Sequence, residues 1–386
     1  MQTKAKAYYL PVIVFAQFAG TSLWFAGNAI IGEIQKETRT AGVANLTSQV
    51  QFGFISGTLL FSILTVADRF KPSLFFFLSS LIAAGANASI ILCSTDIFSI
   101  SVLRFITGFF LAGIYPVGMK IAADWFPQKL GNALGFLVGA LVLGTAFPHL
   151  LKSQLYQLPW KEVLLFTSLL ALIGGLLMFL LMPSKASLSK NKFQPKAFLL
   201  VFQSKDFRAA AFGYFGHMWE LYTFWAFVPL ILLRFNEVHT INTSLWSFVI
   251  IAVGCISCIA GGLISRKTGS KTVAFYSLLI SCACCLLAPI SFEFSSNLFL
   301  AFLLVWGASV VSDSPQFSTL IAQSAIQKYK GTALTIVTSI GFFITIISIQ
   351  LMKSLFDHSD KSLWLLALGP LLGLIALRKG RFNQKT

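Results

Sequence analysis

Four ionisable side chains stand inside stretches that are otherwise apolar: Arg104, His217, Glu220 and Asp313. His217 and Glu220 are three residues apart in the run 209–233, so on a helix they share one face. A charged group in hydrocarbon costs at least a few kcal/mol and persists where it serves a proton, an ion or a substrate. Glu220 is therefore expected to carry a coupling proton, with His217 sharing that proton or hydrogen-bonding a solute. Asp313 lies in Ser312-Asp313-Ser314-Pro315-Gln316. A proline with polar neighbours inside a span frees backbone carbonyls, which predicts a discontinuous helix lining water and makes Asp313 a second proton or cation site. Arg104 must face the protein interior, where its forked donors suit a carboxylate or another small oxyanion. The competing reading is a Glu220 pair with Arg104 or His217 that only holds helices together.

A second set of candidates comes from helical phase. On a continuous helix Gln17, Thr21, Trp24 and Asn28 fall within about 60° of one another, a narrow polar stripe on an apolar helix. The stripe is expected to bind solute, together with Tyr115; the alternative is a packing seam between helices. Trp219, Tyr222, Trp225 and Trp306 are read as packing or interface anchors that could also wall a cavity. Lys120 lies about 160° around a straight helix from Arg104, so Pro116 must kink that helix if both are to line one cavity. Lys120 is assigned instead to the cytoplasmic rim beside Asp124, its i+4 neighbour.

The elements that must position these residues are membrane spans. Hydrophobic residues make up 56% of the chain and charged residues 11%, against about 25% charged in soluble domains. Mean hydropathy is +0.80. Eight charge-free runs are long enough to cross a hydrocarbon core of about 30 Å, three more hold one or two internal charges, and a short one covers 362–378. The expectation is an all-α integral membrane protein of twelve helices in two six-helix bundles. The bundles are placed at 1–183 and 209–386, joined by a cytoplasmic linker over 184–208 with an interfacial helix around 197–207.

Cations fix the orientation. With the N-terminus inside, 20 of the 29 Lys and Arg fall on the cytoplasmic side and 7 on the other, a bias that places both termini in the cytoplasm and the chain in the cytoplasmic (inner) membrane. The net charge of +16 is then a topology signal and a contact with anionic lipid, not a nucleic-acid footprint. No GxxxxGK[ST] motif is present, so nucleotide-driven pumping is not expected, and no cofactor is called for.

The chain also repeats itself at an offset of 198–200 residues. Leu64–Ser73 (LTVADRFKPS) aligns with Gly262–Lys271 (GLISRKTGSK), Pro116 with Pro315, and Gly131-Asn132-Ala133-Leu134 with Gly331-Thr332-Ala333-Leu334. Tandem membrane halves are the layout of secondary transporters.

Ala67-Asp68-Arg69-Phe70-Lys71 resembles the D-R-x-G-[RK] signature of the major facilitator superfamily, and Gly262–Lys271 is its echo. Arg104-Phe105-Ile106-Thr107-Gly108 is similar to that family's R-x-x-x-G motif, and Gly131, Gly135 and Gly139 repeat small residues along the fifth span. The first loop departs from the pattern at Leu64 and Lys71, the second at Arg266, so the gate is expected to be tuned differently. The wording of the first, fourth and seventh spans looks closest to cyanate and nitrate-like porters. The resemblance implies two bundles related by a pseudo-two-fold axis, rocking around a shared site, with Asp68, Arg69, Lys71 and Arg266 in the gate. Asp68 could accept hydrogen bonds from free amides at the start of the eleventh helix near Gly331 and latch one state; Arg69 and Lys71 equally suit plain positive-inside anchors.

The favoured function is proton-coupled transport of a small anionic or zwitterionic solute by a monomer, with Arg104 for substrate charge and Glu220 and Asp313 for coupling. A carrier of the same fold exporting a larger amphipathic compound is the alternative, and a membrane enzyme or non-transporting sensor the third. Six cysteines without a zinc-type loop read as small buried hydrophobes, not a metal site. His149 beside Pro148 reads as a kink and cap. Gly307-Ala308-Ser309, without HExxH or GxSxG context, reads as close helix packing rather than hydrolysis.

Overall fold

The computed structural model of the chain describes residues 5–30, 33, 46–93, 96–127, 130–153, 157–183, 200–237, 239–326 and 330–382. Among these residues the secondary structure is helical, with no strand. Among the described residues ten helices are long and apolar enough to cross a membrane, and Tyr9–Thr21 is a shorter apolar one. The chain divides into two compact units, Met1–Lys192 and Phe193–Thr386.

The first unit holds α1 (Tyr9–Thr21, resumed at Ala26–Ala29), α2 (Leu46–Ile63), α3 (Pro72–Ser89), α4 (Ile97–Leu111, resumed at Tyr115–Trp125), α5 (Leu130–Lys152) and α6 (Trp160–Leu181). Starts follow local chemistry. Pro72 supplies a pre-set φ at the first turn of α3, and the Asp96 carboxylate accepts from the amides of Phe98 and Ser99 at 3.0 and 3.2 Å to cap α4. Packing runs through glycines. A Cβ at Gly53 or Gly57 would strike the α4 carbonyls of Phe105 or Phe109, and one at Gly108 would strike the Val50 carbonyl of α2. Without those side chains the two backbones touch, the small-residue mode that membranes favour.

The second unit holds α7 (Lys205–Phe235), α8 (Thr243–Thr268), α9 (Ser270–Ser291), α10 (Ser296–Ser312, resumed at Ser314–Ser324), α11 (Lys330–Phe356) and α12 (Leu368–Lys379, entered through a 3₁₀ stretch Asp360–Ala367). Ser204 caps α7, so that helix begins inside the stretch expected as linker. Most of the rest of that stretch, including 197–199 of the expected interfacial helix, lies outside the described residues. Gly307 packs on the Ile250 carbonyl of α8, and Ser309 bonds back to the Trp306 carbonyl, so this triplet is a helix contact. Gly216 of α7 and Gly369 of α12 press backbone on backbone.

Two of the proline-bearing helices are interrupted, whereas α5, α7 and α9 run unbroken through Pro148, Pro229 and Pro289. α4 opens over 112–114, just before Pro116, and α10 opens at Asp313, just before Pro315. The missing proline N–H and the ring's clash with the preceding turn weaken the ladder there, and in α10 the polar neighbours Ser312 and Asp313 stand at the break. α1 is also interrupted, at 22–25, without a proline. There Thr21 Oγ1 donates to the Gln17 carbonyl at 2.8 Å and Ser22 Oγ to the Ala19 carbonyl at 2.7 Å, back-bonding that weakens the ladder where the chain turns.

The two repeated loops take different paths. In the first, Thr65 adopts a left-handed conformation (φ 50°), Val66–Arg69 forms one helical turn, and Arg69 Nε donates to Thr65 Oγ1 at 3.2 Å. In the second, α8 runs on through Arg266 and turns at Gly269 (φ 85°), where a glycine removes the strain a side chain would add.

Candidate functional site

The second unit gathers the buried acids. α7 carries His217 and Glu220 on one face, each 1% exposed, and Asp313 sits fully buried at the interruption of α10. Glu220 accepts three hydrogen bonds: from Trp306 Nε1 at 2.6 Å, from Ser281 Oγ at 2.9 Å and from Cys285 Sγ at 3.2 Å. His217 does not join it. His217 Nδ1 lies 2.8 Å from Asp313 Oδ1, at ion-pair distance though without the alignment of a full hydrogen bond. The imidazole lies close to the rings of Tyr214 and Phe317, at 5.9 and 5.7 Å between centroids, and its Nε2 has no partner among the described residues. Glu220 and Asp313 thus form two separate stations, one tied to α9 and α10, the other bridging α7 and α10. The competing reading, a Glu220 pair with Arg104 or His217, is not what forms among the described residues: His217 faces Asp313.

The first unit holds the buried cation. Arg104 is fully buried; Nη1 donates to the Leu23 carbonyl and to Asn87 Oδ1, both at 3.1 Å, and Nη2 donates to the Trp24 carbonyl at 2.5 Å. It closes the interruption of α1 by taking carbonyls that the broken ladder releases. Arg104 Nε has no partner among the described residues and faces Gly27, whose missing side chain makes the room. Among the described residues no carboxylate lies within ion-pair distance of Arg104.

The stripe on α1 is not continuous, because the helix breaks between Thr21 and Asn28; this corrects the phase argument. Gln17 packs on Gly118 of α4, Thr21 on Gly144 of α5, Trp24 on the Phe54 ring of α2 at 4.8 Å, and Asn28 Oδ1 accepts from Thr47 at 2.7 Å. Gln17 alone of the four is fully buried with its amide oxygen and nitrogen unpartnered among the described residues. Tyr115 is half-buried at the restart of α4. Lys120 lies 3.8 Å from Asp124, the expected i+4 pair. Arg69, Lys71 and Arg266 are exposed, and the Asp68 side chain lies outside the described residues.

Three functional partners are added by the fold. Asn87, fully buried on α3, donates to the Leu164 carbonyl, Thr167 and Ser168 of α6 at 3.0–3.2 Å while accepting from Arg104. Its signal in the sequence is a lone amide in an apolar run, with no periodic partner on its own helix. Cys285 and Ser281, from a helix read as hydrophobic, both serve Glu220; Cys285 is therefore a polar ligand rather than an inert filler. His149 is buried in α5 with Nε2 unpartnered among the described residues.

No curated protein matches the chain. The family model described as Major Facilitator Superfamily matches residues 9–349, which takes in Arg104, His217, Glu220, Asp313 and both repeated loops. With most of its length inside that match and membrane-length helices throughout, the chain is a multi-pass membrane protein that belongs to the Major Facilitator Superfamily of secondary transporters.

Proposed function

We propose that this transporter couples proton movement to the passage of a small anionic or zwitterionic solute by alternating access. The observation that carries the reading is the pair of buried carboxyls, Glu220 and Asp313, with one histidine and, among the described residues, no lysine or arginine at ion-pair distance from either. A buried acid without a fixed cation can shed its charge by taking up a proton, and that exchange is what a coupling site must do. Glu220 is the primary proton carrier, and Asp313 with His217 the second.

The substrate class follows from the first unit. Among the described residues Arg104 is held by neutral acceptors, with no carboxylate cancelling its charge, and a buried uncompensated cation favours an anion nearby. Gln17, whose amide has no partner among the described residues, is assigned with Thr21, Trp24, Asn28 and Tyr115 to the solute's path. Asp68, Arg69, Lys71 and Arg266 are assigned to gating, and the termini to the cytoplasmic side of the inner membrane, from the cation bias. The likeness to cyanate and nitrate-like porters has no curated relative behind it, and the substrate class does not lean on it.

The test is uptake into proteoliposomes after a pH jump. Small carboxylates and oxyanions should accumulate against their gradients, and collapsing the pH difference should abolish this. Accumulation driven by sodium alone would refute the proton reading, and movement only of large amphipathic compounds would replace the substrate class with that of an exporter.

A further inference from the structure

A cleft of about 990 Å³ runs along the second unit where α7, α11 and α12 meet. Its floor is the crossing of Gly216 and Gly369, where two glycines leave no side chain to fill the space. Its walls are apolar, and several are open to the surroundings: Phe212 is 50% exposed and Leu372 67%. The other contributors to the cleft are cations gathered at one mouth. Lys205 is the first residue of α7 and Lys379 the last of α12, so antiparallel helices bring both to the same end, with Arg208 one turn inside.

No acid lines the cleft among the described residues. The nearest in sequence, Asp206, accepts from the Arg381 amide at 2.7 Å. Arg208 is fixed at the mouth by Nη1 donating to the carbonyls of Phe202 and Gln203 at 2.6 and 2.9 Å. None of the three cations has a carboxylate at ion-pair distance among the described residues.

In the first unit a cavity of about 460 Å³ between the entry to α1, the start of α3 and the exit of α6 also has cations in its lining, Lys6 and Lys71, but its third wall is α3 and not α5, so it is not the repeat counterpart of this cleft.

We infer that the α7–α11–α12 cleft seats an anionic phospholipid, its phosphate between Lys205, Arg208 and Lys379 and one acyl chain along Phe212 and Leu372. The dimensions agree. From Lys205 to Trp219, both in the lining, α7 rises about 21 Å; one leaflet of hydrocarbon is about 15 Å deep, which leaves the cationic mouth at headgroup level. A cluster of unpaired cations beside an apolar slot distinguishes an anionic from a zwitterionic lipid with the same chains, because only the headgroup charge differs. The assignment needs only a membrane protein and does not depend on proton coupling.

The test compares retention of dioleoyl phosphatidylglycerol and dioleoyl phosphatidylcholine on the full-length purified protein by native mass spectrometry. The unaltered chain should prefer the anionic lipid, and Lys205→Ala with Lys379→Ala should lower that preference by roughly tenfold. Leu372→Trp, which fills the slot, should lower retention of both lipids. If the double variant proves poorly folded by circular dichroism, Lys205→Gln and Lys379→Gln are compared singly, each expected to lower the preference by a few fold. Equal retention of the two lipids by the unaltered chain, or a preference unchanged in folded lysine variants, overturns the proposal. So does Leu372→Trp turning a dimer into a monomer without touching lipid retention, which would make this face an interface between copies.

Discussion

Trp306 Nε1 donates a 2.6 Å hydrogen bond to Glu220 Oε1, joining the interior of α10 to the acid on α7. An indole N–H can only donate, so this contact holds an oxygen lone pair in place whether or not the carboxyl carries a proton. Glu220→Gln keeps an oxygen for Trp306 but cannot exchange a proton. It is expected to reduce pH-driven accumulation to equilibrium while leaving solute exchange measurable. Undiminished accumulation in that variant would remove Glu220 from the coupling mechanism.

Arg104→Lys should be harmful although charge is kept. One ammonium cannot reach the Leu23 and Trp24 carbonyls and Asn87 as a planar fork does. A loss of about 2–4 kcal/mol in stability is expected, since buried acceptors go unmet, together with weaker binding of any anionic solute. Thermal unfolding in detergent and equilibrium binding measure the two effects separately.

Asn87→Ala should lower stability by about 2–3 kcal/mol, because it strands Arg104 Nη1 of one acceptor and the α6 groups of their donor. Combined with Arg104→Lys, the losses should fall short of their sum by about 0.5 kcal/mol or more, since the two side chains touch. Strict additivity in the double variant would show them to be independent.

Gly108→Ala should cost about 1–3 kcal/mol by forcing a methyl into the Val50 carbonyl. Gly131→Ala is the matched control: nothing lies near its added Cβ, and alanine is the better helix former. The control should melt at or above the parent temperature, and the first variant clearly below it.

Acidity should act through the cap of α4. The Ser99 hydroxyl and the Phe98 amide, in that order, hold the Asp96 carboxyl below its ordinary range. A group depressed in the folded state contributes stability that is full above its unfolded value of about 3.9 and fades as pH falls through the folded one. The melting-temperature gap between the parent and Asp96→Ala should therefore be constant at pH 5–7 and close on titration below about pH 4. A gap that widens on acidification would contradict the assignment.

Much of this arrangement is legible in the residues. Pro116 and Pro315 mark the interruptions of α4 and α10 because a missing amide acts locally, although Pro148, Pro229 and Pro289 leave their helices unbroken. His217 and Glu220 share a face because three residues on a helix always do. The choice of partner is not local. Asn87 meets Thr167 from 80 positions away and Cys285 meets Glu220 from 65, so neither contact leaves a periodic trace. The interruption of α1 is hidden for a related reason. Thr21 and Ser22 loosen the ladder, but the residue that secures the opened turn, Arg104, is supplied by α4.

That borrowed residue ties the interruption of α1 to the helix that is itself interrupted at 112–114. The turn of α1 at 22–25 is clasped by Arg104 from one side, and the Ile114 side chain, in the turn that splits α4, sits against Gly20 just below it. Neither joint can swing without disturbing the other, so the first unit should flex there as a geared pair of hinges rather than as two loose ones.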